Sequence, residues 1–382
     1  MYGAEAVILN LARTLKEGPD SCVLGVFSNT SNLNLELHEI AKSEGIESHT
    51  IPCKGQIDRK AITRIRELAK REVADIVHAH GYKADIYAYV AMRASGVPLV
   101  STCHNWIDND RKTGLYGFLD RLILRRYAQV VSVSEDVRQR LLGSGVNSHK
   151  IRMIRNGIDL QPFDGAFAVV KEELGWNGCL LVGLIGRLSP EKGVDIFMHA
   201  AARVLVECPD AKFIVAGDGP DRSGLDALID KLRISESVRL LGRRNDMPAL
   251  YASLDVMVSA SRREGLPIAI LEGMASRLPV VATAVGEVPS VIQPGRTGAL
   301  VPPENPESLA AAIKTLLQDS VRREKLGDAA KLLIQKEYSA ARMTAEYLRV
   351  YEEAITLASK GNHRHIYSSV SPHGTSPSAT NS

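Results

Sequence analysis

Short, continuous runs of apolar residues alternate with amphipathic helical segments along most of the 382-residue chain. Such runs occupy residues 99–103, 180–185 and 280–283, and helical spacing is clear over residues 58–71 and 193–208. Strands that are apolar throughout are typical of parallel sheets covered on both faces, and the helices between them are typical crossover connections. The pattern therefore predicts an α/β protein built from βαβ units.

The length and the repeated pattern favour two Rossmann-like domains of similar size. Residues 160–177, which contain Pro162, Gly165 and Gly175, interrupt the alternation and favour a connecting segment. Because such sheets bind ligands at the carboxyl ends of their strands, we expect the two domains to face each other across a cleft. The predicted divisions are 1–160 for the first domain, 161–340 for the second domain, 341–358 for a helix that crosses back to the first domain, and 361–382 for a polar, disordered tail.

The first residues of the chain add a constraint on the first domain. Residues 1–5 lead directly into helical spacing at Val7, Leu11 and Leu15, without a strand-like run before them. The first strand of a Rossmann-like sheet is central in the sheet. We therefore expect that this strand is missing from the sequence as written, and that the natural protein starts upstream.

Composition excludes several functional classes. Lys and Arg total 47 and Asp and Glu total 44, so the net charge of +3 is too small for a dedicated nucleic-acid-binding protein. No run approaches the ~18 apolar residues of a membrane span. The five cysteines are widely spaced and never form a C-x-x-C pair, which argues against a disulfide framework or a zinc site and favours a reducing compartment. We expect a cytoplasmic protein.

A loop with two cations follows the predicted strand at residues 180–185. It begins with Gly186-Arg187 and ends with Lys192-Gly193, just before a helix. Cations beside a helix N-terminus favour an anion, and a diphosphate is the natural occupant. The alternative is a pair of solvated surface cations. A second glycine turn, Gly217-Asp218-Gly219, follows the next strand. It does not complete a dinucleotide-binding fingerprint, because Arg222 stands where that motif has its third glycine. The turn is either part of the same site or a plain tight turn.

The segment from Ser261 to Glu272 carries the strongest signal. Two carboxylates, Glu264 and Glu272, lie on a loop and on the helix that follows it, and the helix is predicted to start near Pro267. The N–H groups of Gly265 and Leu266, and those of the helical turn that starts near Pro267, are suited to binding a phosphate. Glu272 can accept hydrogen bonds from vicinal hydroxyls, as carboxylates do with ribose, and Glu264 can accept them from a sugar. An exposed helix glutamate is the alternative for Glu272.

Histidines follow two strands of the first half. His104 comes directly after the run at residues 99–103, so it is expected at the carboxyl end of a parallel strand, where ligands bind. His78 and His80 lie in a similar but less specific position. For all three, a purely structural role is the alternative.

Four groups of residues together resemble the retaining glycosyltransferases of family 4, which have the GT-B fold. They are Gly186-Arg187 with Lys192-Gly193, Glu264-Gly265 with Glu272, Pro279-Val280-Val281-Ala282-Thr283, and Asn156-Gly157-Ile158-Asp159. The resemblance extends over nearly the whole chain, up to residue 358. It implies transfer of a sugar from a nucleotide-diphosphate donor, bound by the second domain, to an acceptor bound by the first domain, with the anomeric configuration kept.

The resemblance also implies roles for single residues. The positions matching Arg187 and Lys192 hold the diphosphate, and those matching Glu264 and Glu272 contact the donor sugar and the ribose. The position matching His104 lines the reaction centre, and that matching Gly3 lies in a loop beside the phosphates or the acceptor. The catalytic residues are thus predicted to be His104, Arg187, Lys192 and Glu264, and the donor-binding residues Gly3, Gly186, Arg187, Lys192, Gly217, Gly265, Leu266, Pro267 and Glu272.

No resident cofactor or metal ion is expected, because fixed cations and helix N–H groups can stabilise a departing diphosphate. The sequence also offers no D-x-D aspartate pair on a suitable loop. One departure from the family concerns Gly286-Glu287-Val288-Pro289, where relatives often have two glycines followed by Pro-Glu. This departure leaves the identity of the donor sugar open.

The expected partners are a nucleotide-sugar donor and a saccharide or lipid-linked acceptor, in the synthesis of a polysaccharide, the cell envelope or a glycolipid. Residues 100–155 carry an excess of Arg and Lys with interleaved Tyr116, Phe118 and Leu122. This segment is either a peripheral patch for an anionic membrane surface or a solvated basic face. Two other functions stay open at this point: a nucleotide-sugar epimerase of the same architecture, and a non-catalytic sugar-nucleotide binder.

Overall fold

The structure, a computed structural model, describes residues 3–28, 35–54, 58–104 and 121–367. Residue contacts divide the chain into two compact units. The N-terminal unit comprises Val23–Ile154 and the chain from Ala345 onward, and the C-terminal unit comprises Met1–Cys22 and Arg155–Thr344.

The elements up to residue 154 are short strands separated by helices. They are α1 (Gly3–Glu17), β1 (Val23–Ser28), α2 (Glu36–Ser43), β2 (Glu47–Pro52), α3 (Arg59–Arg71), β3 (Val77–His80), α4 (Tyr82–Met92), β4 (Leu99–Cys103), β5 (Gln129–Ser132), α5 (Glu135–Gly143) and β6 (Ile151–Met153).

The same alternation continues to residue 301 and gives way to three helices. The elements are α6 (Val170–Glu173), β7 (Leu181–Ile185), α7 (Val194–Glu207), β8 (Lys212–Ala216), α8 (Arg222–Leu232), β9 (Val238–Gly242), α9 (Met247–Ala252), β10 (Val256–Ser259), α10 (Ile268–Ala275), β11 (Val280–Thr283), α11 (Val288–Val291), β12 (Gly298–Val301), α12 (Pro306–Leu317), α13 (Ser320–Glu337) and α14 (Ala340–Tyr367).

The C-terminal unit contains a six-stranded parallel sheet in the order β12-β11-β10-β7-β8-β9. Its central strands are largely apolar and buried, as the sequence pattern predicts for strands covered on both faces. One buried apolar cluster includes Phe197, Phe213 and Ile313, and another includes Tyr251 and Met274. The order reverses between β10 and β7, so the loops after these two strands lie side by side.

In the N-terminal unit, the described strands form two parallel sheets, β1-β2 and β3-β4-β5-β6. No described strand joins β1 to β3. The central strand that the sequence pattern led us to expect in this sheet stays a prediction.

Three features differ from the sequence-based expectations. The first helix, α1, groups with the C-terminal unit rather than with residues 23–154, and the Asn10 amide on its buried face donates to the Gly157 carbonyl at 3.3 Å. The last helix extends to Tyr367, so residues 361–367 are helical where disorder was predicted, while residues 368–382 lie outside the described ranges. The apolar run at residues 288–292 favours a strand, but Val288–Val291 forms a helical turn, because Pro289 lacks the N–H that a strand needs and fits the first turn of a helix.

Candidate active site

The sheet order of the C-terminal unit brings two predicted loops together. The Gly186–Gly193 loop follows β7, and the loop from Ser261 to Pro267 follows β10. Strands β7 and β10 are neighbours at the point where the strand order reverses. Open parallel sheets bind ligands at this position, because the connections leave in opposite directions and open a crevice at the carboxyl ends.

Lys192 and Glu264 form an ion pair between these two loops. The Glu264 side chain is 11% exposed and that of Lys192 is 26% exposed, so the pair is largely shielded from water. The buried Ser261 hydroxyl donates to the same Glu264 oxygen at 2.8 Å. The carboxylate is therefore held at a fixed place by one charged and one neutral donor.

A small pocket adjoins the ion pair. Lys192, Ser261, Glu264 and Pro267 line its polar side, and Met257 and Ile270 line its apolar side. A few polar groups that converge in an otherwise apolar cleft are typical of a small-molecule site.

Glu272 lies on α10, and the phenol of Tyr251 donates to its Oε2 atom at 2.8 Å. Burial raises the pKa of Glu272 to about 7, and the hydrogen bond from Tyr251 opposes part of that increase. Burial and the nearby Glu272 carboxyl raise the pKa of Tyr251 well above its usual range, so this phenol remains a donor. One oxygen of Glu272 thus accepts a hydrogen bond from a protein donor.

Arg262 holds the two loops against each other. Its guanidinium donates to both carboxylate oxygens of Asp195, at 2.8 and 2.7 Å, and to the Pro190 carbonyl at 2.6 Å. Its backbone N–H donates to the Glu191 carbonyl at 2.8 Å. These bonds lower the pKa of Asp195, so the pair stays charged at neutral pH. Arg262 thereby fixes the turn that carries Lys192.

The other predicted donor-binding residues are placed as follows. Arg187 is exposed at the start of the loop after β7, Gly265 is exposed beside Glu264, and Leu266 and Pro267 lead into α10, which begins at Ile268. Gly3 is the first residue of α1.

Gly186 and Gly217 lie directly against each other. Gly217 has φ +144°, and a Cβ atom there would lie 1.9 Å from the Gly186 carbonyl oxygen. Only glycine fits this close approach of two loops.

His104 follows β4 in the N-terminal unit, at the carboxyl end of the sheet, and two further histidines lie beside it. The Nε2 atom of His104 lies 3.0 Å from the Nδ1 atom of His80, the last residue of β3. The ring centroids of His80 and His78 are 4.1 Å apart. Burial lowers the pKa of His104 to about 4 and that of His78 to about 3, and it lowers the pKa of His80 well below its usual range. All three rings are neutral at pH 7.

Several side chains that shape the site could not be identified from the sequence. Tyr251, Asp195 and His80 act on Glu272, Arg262 and His104 respectively, and each pair is distant along the chain. The strand-end position of His80 was the one available signal, since it matches that of His104.

Two family models match the chain. The one described as "Glycosyltransferase Family 4" matches residues 1–162, and the one described as "Glycosyl transferases group 1" matches residues 180–319. The chain belongs to the family 4 glycosyltransferases. The resemblance that the motifs indicated is thereby confirmed.

Named relatives of this family 4 glycosyltransferase cover most of its length. It is 28% identical over 311 residues to the alpha-D-kanosaminyltransferase of Streptomyces kanamyceticus, which covers 76% of this chain and 81% of that protein. It is 29% identical over 278 residues to the UDP-Gal:alpha-D-GlcNAc-diphosphoundecaprenol alpha-1,3-galactosyltransferase of Escherichia coli, which covers 69% and 72%. Both relatives are named as glycosyltransferases.

Solved structures confirm the GT-B fold of this glycosyltransferase. The structure of Anabaena HepE in complex with UDP matches with a TM-score of 0.80 and 20% identity, over 92% of this chain and 96% of that one. HepE has also been solved in complex with UDP-glucose, with a TM-score of 0.78 and 23% identity.

The basic segment at residues 100–155 is largely paired within the protein where the structure describes it. Arg138, Arg140 and Arg152 form ion pairs with Glu135, Asp136 and Glu353. Arg111, Lys112, Tyr116 and Phe118 lie outside the described residues. None of the helices in the described ranges has the length and apolar content needed to cross a membrane. Peripheral membrane contact stays a prediction.

Proposed function

We propose that this glycosyltransferase transfers a hexosyl group from a uridine-diphosphate sugar to a saccharide or lipid-linked acceptor, with retention of anomeric configuration. The observation that carries the proposal is the convergence of Lys192, Ser261 and Glu264 in one pocket, at the point where the strand order of the C-terminal unit reverses. The UDP and UDP-glucose complexes of HepE support the choice of nucleotide. The name of the Escherichia coli relative supports a lipid-linked acceptor.

Each donor-binding role follows from the chemistry of the side chain. The Lys192 ammonium has three N–H donors, so it can keep its bond to Glu264 and also donate to a diphosphate oxygen. Arg187 adds a second cation at the start of the same loop. The N–H groups of Gly265 and Leu266, just before the start of α10, are suited to binding a phosphate. Glu272 accepts from the ribose hydroxyls, and Glu264 accepts from a hydroxyl of the sugar.

The proposed chemistry is a displacement on one face of the sugar. The bond between the anomeric carbon and the diphosphate oxygen breaks, and the acceptor oxygen forms its bond to the same carbon from the same side. The acceptor proton passes to the departing phosphate oxygen. Lys192 and Arg187 stabilise the charge that develops on the diphosphate, which is the stabilisation that a metal ion provides in other transferases. We therefore propose that the reaction does not require a metal ion.

The first experiment tests the donor and the stereochemistry. Thermal-shift measurements with UDP-glucose, UDP-galactose, UDP-N-acetylglucosamine and GDP-mannose identify the donor. Proton NMR of the sugar released or transferred at early times should show the α configuration of the donor. A β product would contradict retention. Conversion of the donor to an epimeric nucleotide sugar without an acceptor would indicate an epimerase. Activity that persists in excess EDTA supports metal independence.

The second experiment tests the site residues. Lys192→Ala and Glu264→Ala should each lower kcat by about 10²–10³-fold, the usual effect of removing one group that stabilises developing charge. The matched control is Lys314→Ala, which breaks the exposed Lys314–Glu207 ion pair of the same unit and should leave kcat unchanged. Near-normal turnover in a folded Lys192→Ala or Glu264→Ala protein would contradict the assignment.

A further inference from the structure

The contact between His80 and His104 is made of two neutral rings. A neutral imidazole carries one N–H group and one acceptor nitrogen. At a separation of 3.0 Å, one of the two facing nitrogens donates and the other accepts. Whether His104 Nε2 carries the proton therefore depends on its partner. When Nε2 carries the proton, His104 Nδ1 is the acceptor, and when Nε2 accepts, Nδ1 carries the proton.

The surroundings hold His80 in place. It pairs with Thr102 in the β3–β4 register, and its ring packs against that of His78 with the two planes tilted by 38°. His78 is bonded at both ring nitrogens, to the Tyr351 hydroxyl at 2.8 Å and to the Thr102 hydroxyl at 2.8 Å. His80 thus packs against a ring that cannot rotate without breaking two hydrogen bonds.

We propose that His80 is a positioning residue that holds the His104 imidazole in one tautomer and one ring orientation. The inference rests on the proposed function, in which His104 lines the reaction centre. A histidine that can present either a proton or a lone pair to a substrate acts efficiently only when one of these states is fixed, and hydrogen-bond partners of functional histidines generally fix it.

The test compares the tautomer of His104 with the kinetics of transfer. Long-range 15N–1H NMR spectra of histidine-labelled protein show which ring nitrogen carries the proton. Wild-type protein should show a single His104 tautomer. His80→Leu should show both tautomers, and kcat should fall by about 10- to 100-fold, the scale reported for lost partners of functional histidines. The donor KM should change little, since the proposed donor-binding side chains belong to the other unit.

Two variants separate positioning from folding. In His80→Asn, the side-chain amide can take the place of the Nδ1 atom and bond to His104 Nε2 again, so the ring orientation and most of kcat should return. His49→Asn is the matched control, because His49 is a partly exposed histidine of the same unit that pairs with Glu47, so both readouts should stay at their wild-type values. His80→Asn also provides a folded variant if His80→Leu does not fold.

The two failures are distinguishable. Mixed His104 tautomers in the wild-type protein, or a single tautomer in His80→Leu, would overturn the positioning role whatever the activity. Wild-type protein that transfers no sugar from any donor would overturn the proposed function. The NMR readout needs no substrate, so it decides the role of His80 in either case.

Discussion

The carboxyl group of Glu272 titrates in a range that affects ligand binding. Burial raises its pKa to about 7, against an unfolded value near 4.5. Ribose hydroxyls donate best to the ionised carboxylate, so UDP binding should lower this pKa and release a proton. UDP affinity should therefore increase as the pH rises from 6 to 8, by up to about tenfold for each pH unit below the pKa.

Calorimetric titration of UDP in buffers with different ionisation enthalpies measures that proton release. In Glu272→Gln, the protons that this carboxyl releases on UDP binding are no longer measured, while the protons released by the phosphate of UDP itself remain. In Tyr251→Phe the midpoint should move to higher pH, because the hydrogen bond that lowers the pKa of Glu272 is lost. Equal pH dependence in wild type and Glu272→Gln would contradict the role of this group.

The same pKa shift affects stability with a definite sign. The folded protein binds the Glu272 proton more tightly than the unfolded chain, so this group favours folding most below pH 4.5. Its contribution is lost as the pH rises through 7. The free energy of unfolding of Glu272→Gln should therefore exceed that of the wild type at pH 8 by more than it does at pH 5.

At the scale of secondary-structure elements, Arg262 connects the loop after β10 to the start of α7 through Asp195. Arg262→Lys keeps the charge but loses the paired hydrogen bonds, since an ammonium cannot match both carboxylate oxygens in one plane. The turn with Lys192 should loosen. We expect the donor KM to rise about three- to tenfold, the effect of losing roughly 1 kcal/mol, the net value of one ordinary hydrogen bond.

Arg203→Lys is the matched control for Arg262→Lys. Arg203 forms an exposed ion pair with Glu307 on the same unit, away from the pocket. Exposed pairs contribute little to stability. Arg203 is also not among the residues that line the pocket, so this variant should keep the wild-type KM. Faster amide hydrogen exchange over residues 187–193 in Arg262→Lys alone would locate the effect. An unchanged KM and unchanged exchange in Arg262→Lys would contradict the proposed fixation.

Gly286 shapes the loop that carries Glu264. It has φ +52°, and a Cβ atom there would lie 1.8 Å from the Glu264 carbonyl oxygen. Gly286→Ala should therefore displace Glu264 and cost about 1–3 kcal/mol in stability. A shift of about 1 Å at a reacting group can lower turnover about 100-fold. Gly224→Ala is the control, because a Cβ atom on this helical glycine contacts nothing within 4 Å and should raise stability by up to about 1 kcal/mol.

Some helices and strands could be predicted from the sequence and others could not, for physical reasons. Strands β7 and β11 were predicted because a buried parallel strand is apolar at nearly every position. The helix Ser320–Glu337 was not predicted. The exposed Leu332 lies two residues from the buried Ile334, so the apolar residues do not follow a clear 3–4-residue spacing. Val288–Val291 was assigned to a strand from its apolar residues, and the proline in it was given too little weight.

The candidate site shows the same division. Lys192, Glu264 and Glu272 were singled out because each is close in sequence to a strand end or a helix start, where ligands bind. Tyr251 and Asp195 were missed and His80 was only a weak candidate, because their roles arise from contacts between distant parts of the chain. The segment that begins at Gly286 was noted as a departure from the family, but the close approach of Gly286 to Glu264 is visible only in the three-dimensional structure.

At the scale of the whole molecule, the proposal that the donor binds to the C-terminal unit predicts which residues are protected from amide hydrogen exchange when a ligand binds. A ligand that binds only the folded state stabilises it by about 2.7 kcal/mol at a concentration 100 times Kd. Saturating UDP should slow amide hydrogen exchange in the C-terminal unit, most of all over residues 186–193 and 261–272, which surround Lys192 and Glu264. The β3–β4 segment of the N-terminal unit should change less. Lys192→Ala should lose the protection at equal UDP concentration, and Lys314→Ala should keep it. Protection centred on residues 77–104, with none at the two loops, would contradict the assignment of the donor to the C-terminal unit.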